Sequence, residues 1–276
     1  MKQNSKSPFL FVLVTCIIFT SSFTFAQGDL MVIPKRLVFA GSERSQEINL
    51  INTGADTATY AISFIQYKMN EDGSFDEIEN PEEGQNFANE FLRYYPRRVN
   101  LAPNEAQTIR VQITKRNLLN PGEYRSHMYF RAVEEVTALE ESDIEDEEDA
   151  ISINIKTVFG ISIPIIIRNG ASTTKLELKD FNLIQDDNKT KLSIEFNRNG
   201  NFSTYGDLSV EYIPEVGESY KITAVRGLAV YTPNNKRKFV LNLPEMEGVD
   251  YSKGKLKISY KTAEGKIYDE YLYDLN

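Results

Sequence analysis

The sequence predicts an all-β protein built as two tandem β-sandwich domains, and three observations predict it. Apolar residues recur with period two along most of the chain. Aromatic and β-branched residues are abundant, and turn residues separate the runs at short intervals. No long helical periodicity interrupts them.

The first element is a leader. Residues 1–8 carry Lys2 and Lys6 with no acid, residues 9–19 are almost wholly apolar, and Phe23-Thr24-Phe25-Ala26 leads into Gln27. That order predicts a secretory signal peptide over residues 1–26, cleaved after Ala26. The apolar run is short and broken by Thr20, Ser21 and Ser22, which argues against a stable membrane anchor. Cys16, the only cysteine, lies inside this leader, so the exported chain must hold together by burial rather than by disulfides. Roughly 250 residues suffice for that, as two domains of ordinary size. The net charge of −9 becomes more negative once Lys2 and Lys6 are removed. Such a surface disfavours nucleic acid and anionic lipid.

Alternating strands follow at residues 47–52, 59–67, 108–114, 193–196, 207–213, 238–243 and 255–260. Glu71-Asp72-Gly73, Asn120-Pro121-Gly122 and Asn199-Gly200-Asn201 read as turns between such runs. About seven strands precede Asn169-Gly170-Ala171-Ser172 and about seven follow it, the number an immunoglobulin-like sandwich needs. A boundary near residue 170 gives an N-terminal domain over residues 27–169 and a C-terminal domain over residues 170–276. Residues 134–149 form an acid-rich loop, read as solvated rather than metal-binding because calcium-loop spacing and its turn glycine are missing. The chain then becomes one long strand. Ile151, Ile153, Ile155, Phe159, Ile161, Ile163, Ile165 and Ile167 share one face, interrupted by Thr157. Fully extended, that run spans roughly 50 Å at about 3.3 Å per residue. Residues 161–167 are expected in the strand's own core, and residues 151–155 against a partner.

Enzyme chemistry finds little support. The single histidine, His127, sits in a strand context and has no histidine or cysteine companion for a transition metal. No nucleophile elbow and no phosphate-cradling glycine loop occurs. The expectation is a protein that is not an enzyme and uses no metal or cofactor.

Arg36-Leu37-Val38-Phe39-Ala40-Gly41-Ser42-Glu43-Arg44-Ser45 resembles the start of the PapD-like periplasmic chaperones of pilus (fimbrial) assembly. Pro96-Arg97-Arg98-Val99-Asn100-Leu101-Ala102-Pro103-Asn104, Thr108-Ile109-Arg110-Val111, Pro121-Gly122-Glu123-Tyr124-Arg125 and the strand ending Ile167-Arg168 continue the resemblance over most of residues 30–169. In the second half, Val249-Asp250-Tyr251-Ser252-Lys253-Gly254-Lys255-Leu256 is similar to the family's aspartate-bearing turn.

The resemblance implies two sandwiches in a boomerang arrangement, in the periplasm of a Gram-negative bacterium. It implies binding of exported pilin-like or surface-fibre subunits by donor-strand complementation, in which a long seventh strand fills the subunit's open groove. On this alignment the donor positions are Ile153, Ile155, Thr157 and Phe159, with Ile151 just outside. Arg36 aligns with one of two cleft cations that grip a subunit's terminal carboxylate. The second falls on Pro164, so either another cation, such as Lys35 or Lys156, takes the role or the partner is anchored differently. Arg168 and Asp250 align with two members of an interdomain ionic network; strict spacing puts Arg125 at its glutamate position, and Glu123, two residues earlier on the same strand face, is taken for that role. An outer-membrane usher, and a second copy capping the donor strand, remain open as further partners. The competing reading is a structural or adhesive two-domain sandwich of the cell surface.

Overall fold

The computed structural model describes residues 30–133, 160–186 and 189–275. The leader, residues 134–159 with Ile151, Ile153, Ile155, Lys156, Thr157 and Phe159, and residues 187, 188 and 276 lie outside them.

Eleven strands precede Gly170: β1 (Leu30–Ile33), β2 (Leu37–Phe39), β3 (Ser45–Asn52), β4 (Ala58–Ile65), β5 (Tyr67–Met69), β6 (Phe75–Glu77), β7 (Leu92–Tyr95), β8 (Arg98–Leu101), β9 (Ala106–Ile113), β10 (Gly122–Val133) and β11 (Gly160–Asn169). They form a four-stranded sheet, β1-β3-β9-β7, and a five-stranded one, β2-β11-β10-β4-β8. Alternation in the sequence becomes alternation of burial. Ile48 and Leu50 of β3 and Ile109 and Val111 of β9 are buried, while Glu47, Asn49 and Arg110 face water. Phe39, Met128, Phe130, Ile163, Ile165 and Ile167 complete this core from the other sheet. The count exceeds the seven expected because the N-terminal segment contributes to both sheets and a small hairpin, β5-β6, stands apart from them.

The second half gives β12 (Lys175–Asp186), β13 (Lys189–Asn199), β14 (Thr204–Ile213), β15 (Tyr220–Val230), β16 (Lys236–Leu243), β17 (Lys255–Lys261) and β18 (Ile267–Asp274). Its sheets, β12-β13-β16 and β15-β14-β17-β18, enclose Leu192, Ile194, Phe196, Leu208, Val210, Ile258 and Tyr260. The protein is thus all-β, two sandwiches in tandem.

A third buried cluster joins them. Met69 of β5 and Ile166 of β11 pack with Ala229 and Tyr231 from the end of β15. Ile166 points away from the first core, because neighbours along a strand face opposite sides. The β5-β6 hairpin reaches across as well. The Lys238 amide donates to the Glu71 carbonyl at 2.6 Å, and Asn234 Nδ2 donates to the Met69 carbonyl at 2.7 Å. Gly73 adopts φ +88°, and a Cβ there would collide with the Arg237 guanidinium. The left-handed φ is what favours glycine here, since the Arg237 side chain could shift.

Residues 161–167 divide rather than bury together. Ile163, Ile165 and Ile167 are core, but Ile161 is 38% exposed. The expectation for Ile161 is corrected: it lies where β11 has β10 on one side and, among the described residues, no strand of this sheet on the other.

Candidate functional site

Antiparallel register sets Glu123 opposite Arg168, Arg125 opposite Ile166 and His127 opposite Pro164. Because Met128 and Phe130 point into the core, the odd residues of β10 point outward, and Glu123, Arg125 and His127 meet the second sandwich and the hairpin.

Glu123 is saturated. Arg168 Nε donates to its Oε2 at 3.0 Å, and so does the Ser203 amide at 3.0 Å. Thr232 Oγ1 donates to Oε1 at 3.3 Å, and Ser203 Oγ to the same oxygen. Arg168 Nη2 also donates to the Ser203 carbonyl at 2.7 Å. Four groups, three of them from the second sandwich, therefore hold one buried carboxylate. Such an arrangement fixes geometry more than it adds stability, since desolvation offsets most of the Coulomb gain.

Asp250 is not part of it, and that expectation is corrected. Its Oδ1 accepts from the Ser252 amide at 3.0 Å and from Ser252 Oγ at 2.6 Å, and Lys253 lies 3.2 Å from its carboxylate. These contacts hold its pKa down at about 2. The turn abuts Ile213, the end of β14 opposite to Ser203, and ten residues of strand separate the two by about 30 Å. An aspartate followed two residues later by serine satisfies itself locally as an Asx turn.

Arg36 precedes β2, and Lys35 beside it is exposed. The Arg36 guanidinium lies 4.3 Å from the ring centre of Tyr205 and 5.9 Å from that of Tyr231. Its Nε and Nη1 are buried with no acceptor. Tyr231 carries a second guanidinium at 4.4 Å, that of Arg125. Arg125 is 2% exposed. Its Nη2 donates to the carbonyls of Tyr67 at 3.3 Å and Thr232 at 3.5 Å, whereas Nε and Nη1 have no acceptor. Burial, with Arg36 adding to it, lowers the Arg125 pKa, while Tyr231 and Glu123 act in the opposite sense. Two arginines thus share one tyrosine, and the nearby acid is already taken. Sequence reasoning singled out Arg36 and missed Arg125, Tyr205 and Tyr231. The alignment put Arg125 in the glutamate's place, where its charge argued against it.

His127 is a packed residue. Tyr67 and Phe75 meet its ring edge-on at 5.0 and 5.8 Å. Burial, then the Arg125 charge, pushes its pKa down to about 3. Among the described residues, no group of three or more histidines, aspartates or glutamates is placed to hold a metal ion.

Next to Arg36 runs an open strand edge. β2 pairs with β11 in parallel only from Leu37–Phe39 to Ile165–Ile167. That register brings Arg36 level with Pro164 and leaves Gly160 to Pro164 without a neighbour on that side among the described residues. Proline is tolerated on such an edge. A Cβ at Gly160 would overlap the Tyr129 ring, so the start of β11 is bare of side chain. Open edges of this kind recruit another chain's strand.

No protein-family model matches the sequence, and no curated protein matches it. Solved structures do. Its structural neighbours are fimbrial chaperones. One comes from a chaperone–tip adhesin complex of CFA/I fimbriae biogenesis, 13% identical, covering 89% of this chain and 98% of that one at a TM-score of 0.44. The CupB2 chaperone of Pseudomonas aeruginosa is 14% identical, covering 89% and 100% at 0.43. A Salmonella enterica complex of the SafA pilin with the SafB chaperone gives 16% identity, 90% and 97% coverage and a TM-score of 0.40.

Proposed function

We propose that the protein is a non-enzymatic periplasmic chaperone that stabilises exported pilin-like or surface-fibre subunits by lending them a strand. The observation that carries this reading is the edge of β11 from Gly160 to Pro164, unpaired among the described residues and ending level with Arg36. Main-chain groups on that edge pair with a subunit's exposed strand, which would otherwise aggregate. Ile153, Ile155, Thr157 and Phe159, which precede Gly160 in sequence with Ile151 just outside, fill the subunit's groove in this reading.

Arg36 receives the subunit's terminal carboxylate. A guanidinium with two buried, unpartnered nitrogens matches an acceptor-only planar group. Arg125, whose guanidinium also lies against Tyr231, supplies the second positive charge that Pro164 does not. Lys35 is exposed and secondary in this reading.

The test is co-purification from the periplasm. Ile153→Asp with Ile155→Asp, checked for folding by circular dichroism, is expected to lose its small exported subunit. Capture of the same subunit at wild-type level by this variant would reject strand donation.

A further inference from the structure

We infer that Tyr205 and Tyr231, both from the second sandwich, are positioning residues that hold Arg36 ready for a carboxylate at the end of the β11 edge. The inference rests on the reading of Arg36 given above. Arg36 lies between β1 and β2, outside any ladder, so its own sandwich does little to fix a side chain rich in rotamers. What fixes it is a flat surface. Tyr205 lies against the guanidinium at 4.3 Å, with Tyr231 at 5.9 Å beyond. Guanidinium groups stack on aromatic faces in a way an ammonium does not.

The platform is itself held. Tyr205 faces Ala229 across the β14-β15 ladder. Its hydroxyl abuts Gly227, which has φ +73° and where a Cβ would lie 2.8 Å away. Tyr231 is buried, packed by Phe75 of the hairpin at 6.1 Å and by Arg125. The second sandwich contributes no strand to the open edge, yet on this geometry it sets how strongly the edge's terminal cation binds.

The test uses the full exported chain, nitrogen-15 labelled, with acetate as the carboxylate probe at constant ionic strength. The Arg36 Nε–H signal, assigned by its loss in Arg36→Lys, is expected to be displaced by ring current in the wild type and to move with acetate. Tyr205→Phe keeps the ring and should match the wild type. Tyr205→Leu should lose the ring-current displacement and bind acetate about 2- to 30-fold more weakly, the range for one guanidinium–ring contact. An Arg36 signal without ring-current displacement in the wild type would overturn the inference whether or not Tyr205→Leu folds. Wild-type acetate binding by Tyr205→Leu, with binding lost in Arg36→Ala, would overturn it too and leave the carboxylate reading intact. Unchanged binding in Arg36→Ala would remove that reading, and the inference with it.

Discussion

His127 is kept neutral by its surroundings, and stability should show it. Its ring is buried between Tyr67 and Phe75, with Arg125 two residues away on the same face of β10, and its pKa falls to about 3. In the unfolded chain the group titrates near about 6.5. Between those values the unfolded state binds a proton that the folded state does not. The stabilisation is therefore complete above about pH 6.5 and declines as pH falls toward 3. At pH 5 the loss is about 1.5 pKa units at ~1.4 kcal/mol each, or ~2 kcal/mol. His127→Phe suits the aromatic surroundings and sacrifices no hydrogen bond at Nδ1, which has none. Denaturant unfolding of both proteins at pH 8, 7, 6 and 5 should show the variant gaining on the wild type by ~2 kcal/mol between pH 8 and 5. As the only histidine, His127 also gives one clean imidazole proton signal in nuclear magnetic resonance. A stability difference independent of pH, or a titration midpoint near 6.5, would refute the reasoning.

Two further substitutions probe the junction between the sandwiches. Glu123→Ala leaves Arg168 without its acid and Ser203 and Thr232 without their acceptor, and should cost ~3–5 kcal/mol in urea unfolding. A cost below about 1 kcal/mol would mean that water replaces the carboxylate freely. Gly73→Val drives a side chain into Arg237 at a backbone angle only glycine adopts readily, so the hairpin should release β16. Nitrogen-15 relaxation would then report shorter tumbling times for the two sandwiches, and unchanged values would show that the hairpin is no brace.

Much of the fold was legible because each sandwich buries one face of each strand, which writes period two into residues 47–52 and 108–114. The Glu123–Arg168 pair was found through resemblance together with strand alternation, since strict spacing put Arg125 in the glutamate's place and Glu123 was the acid on the same strand face. Asp250 was placed wrongly for a physical reason. The local signature of an Asx turn is the same whether or not the aspartate reaches another domain, and here Ser252 and Lys253 take it. Tyr205, Tyr231, Ser203 and Thr232 had no signal to offer. They come from one strand and the loops near its sandwich's end, and only the packing of the two halves brings them to Arg36 and Glu123. Arg125 was visible as a charge but not as a buried one. Nothing in Tyr124-Arg125-Ser126 announces that Tyr67 and Thr232 will cover it.

Hydrogen–deuterium exchange along β11, with and without a bound exported subunit, tests the central claim most directly. Strand donation predicts that amides of Gly160, Ile161, Ser162 and Ile163 that face the open edge slow markedly on binding, together with those of residues 151–159. Binding that slows exchange elsewhere and leaves that edge as fast as in the free protein would contradict it.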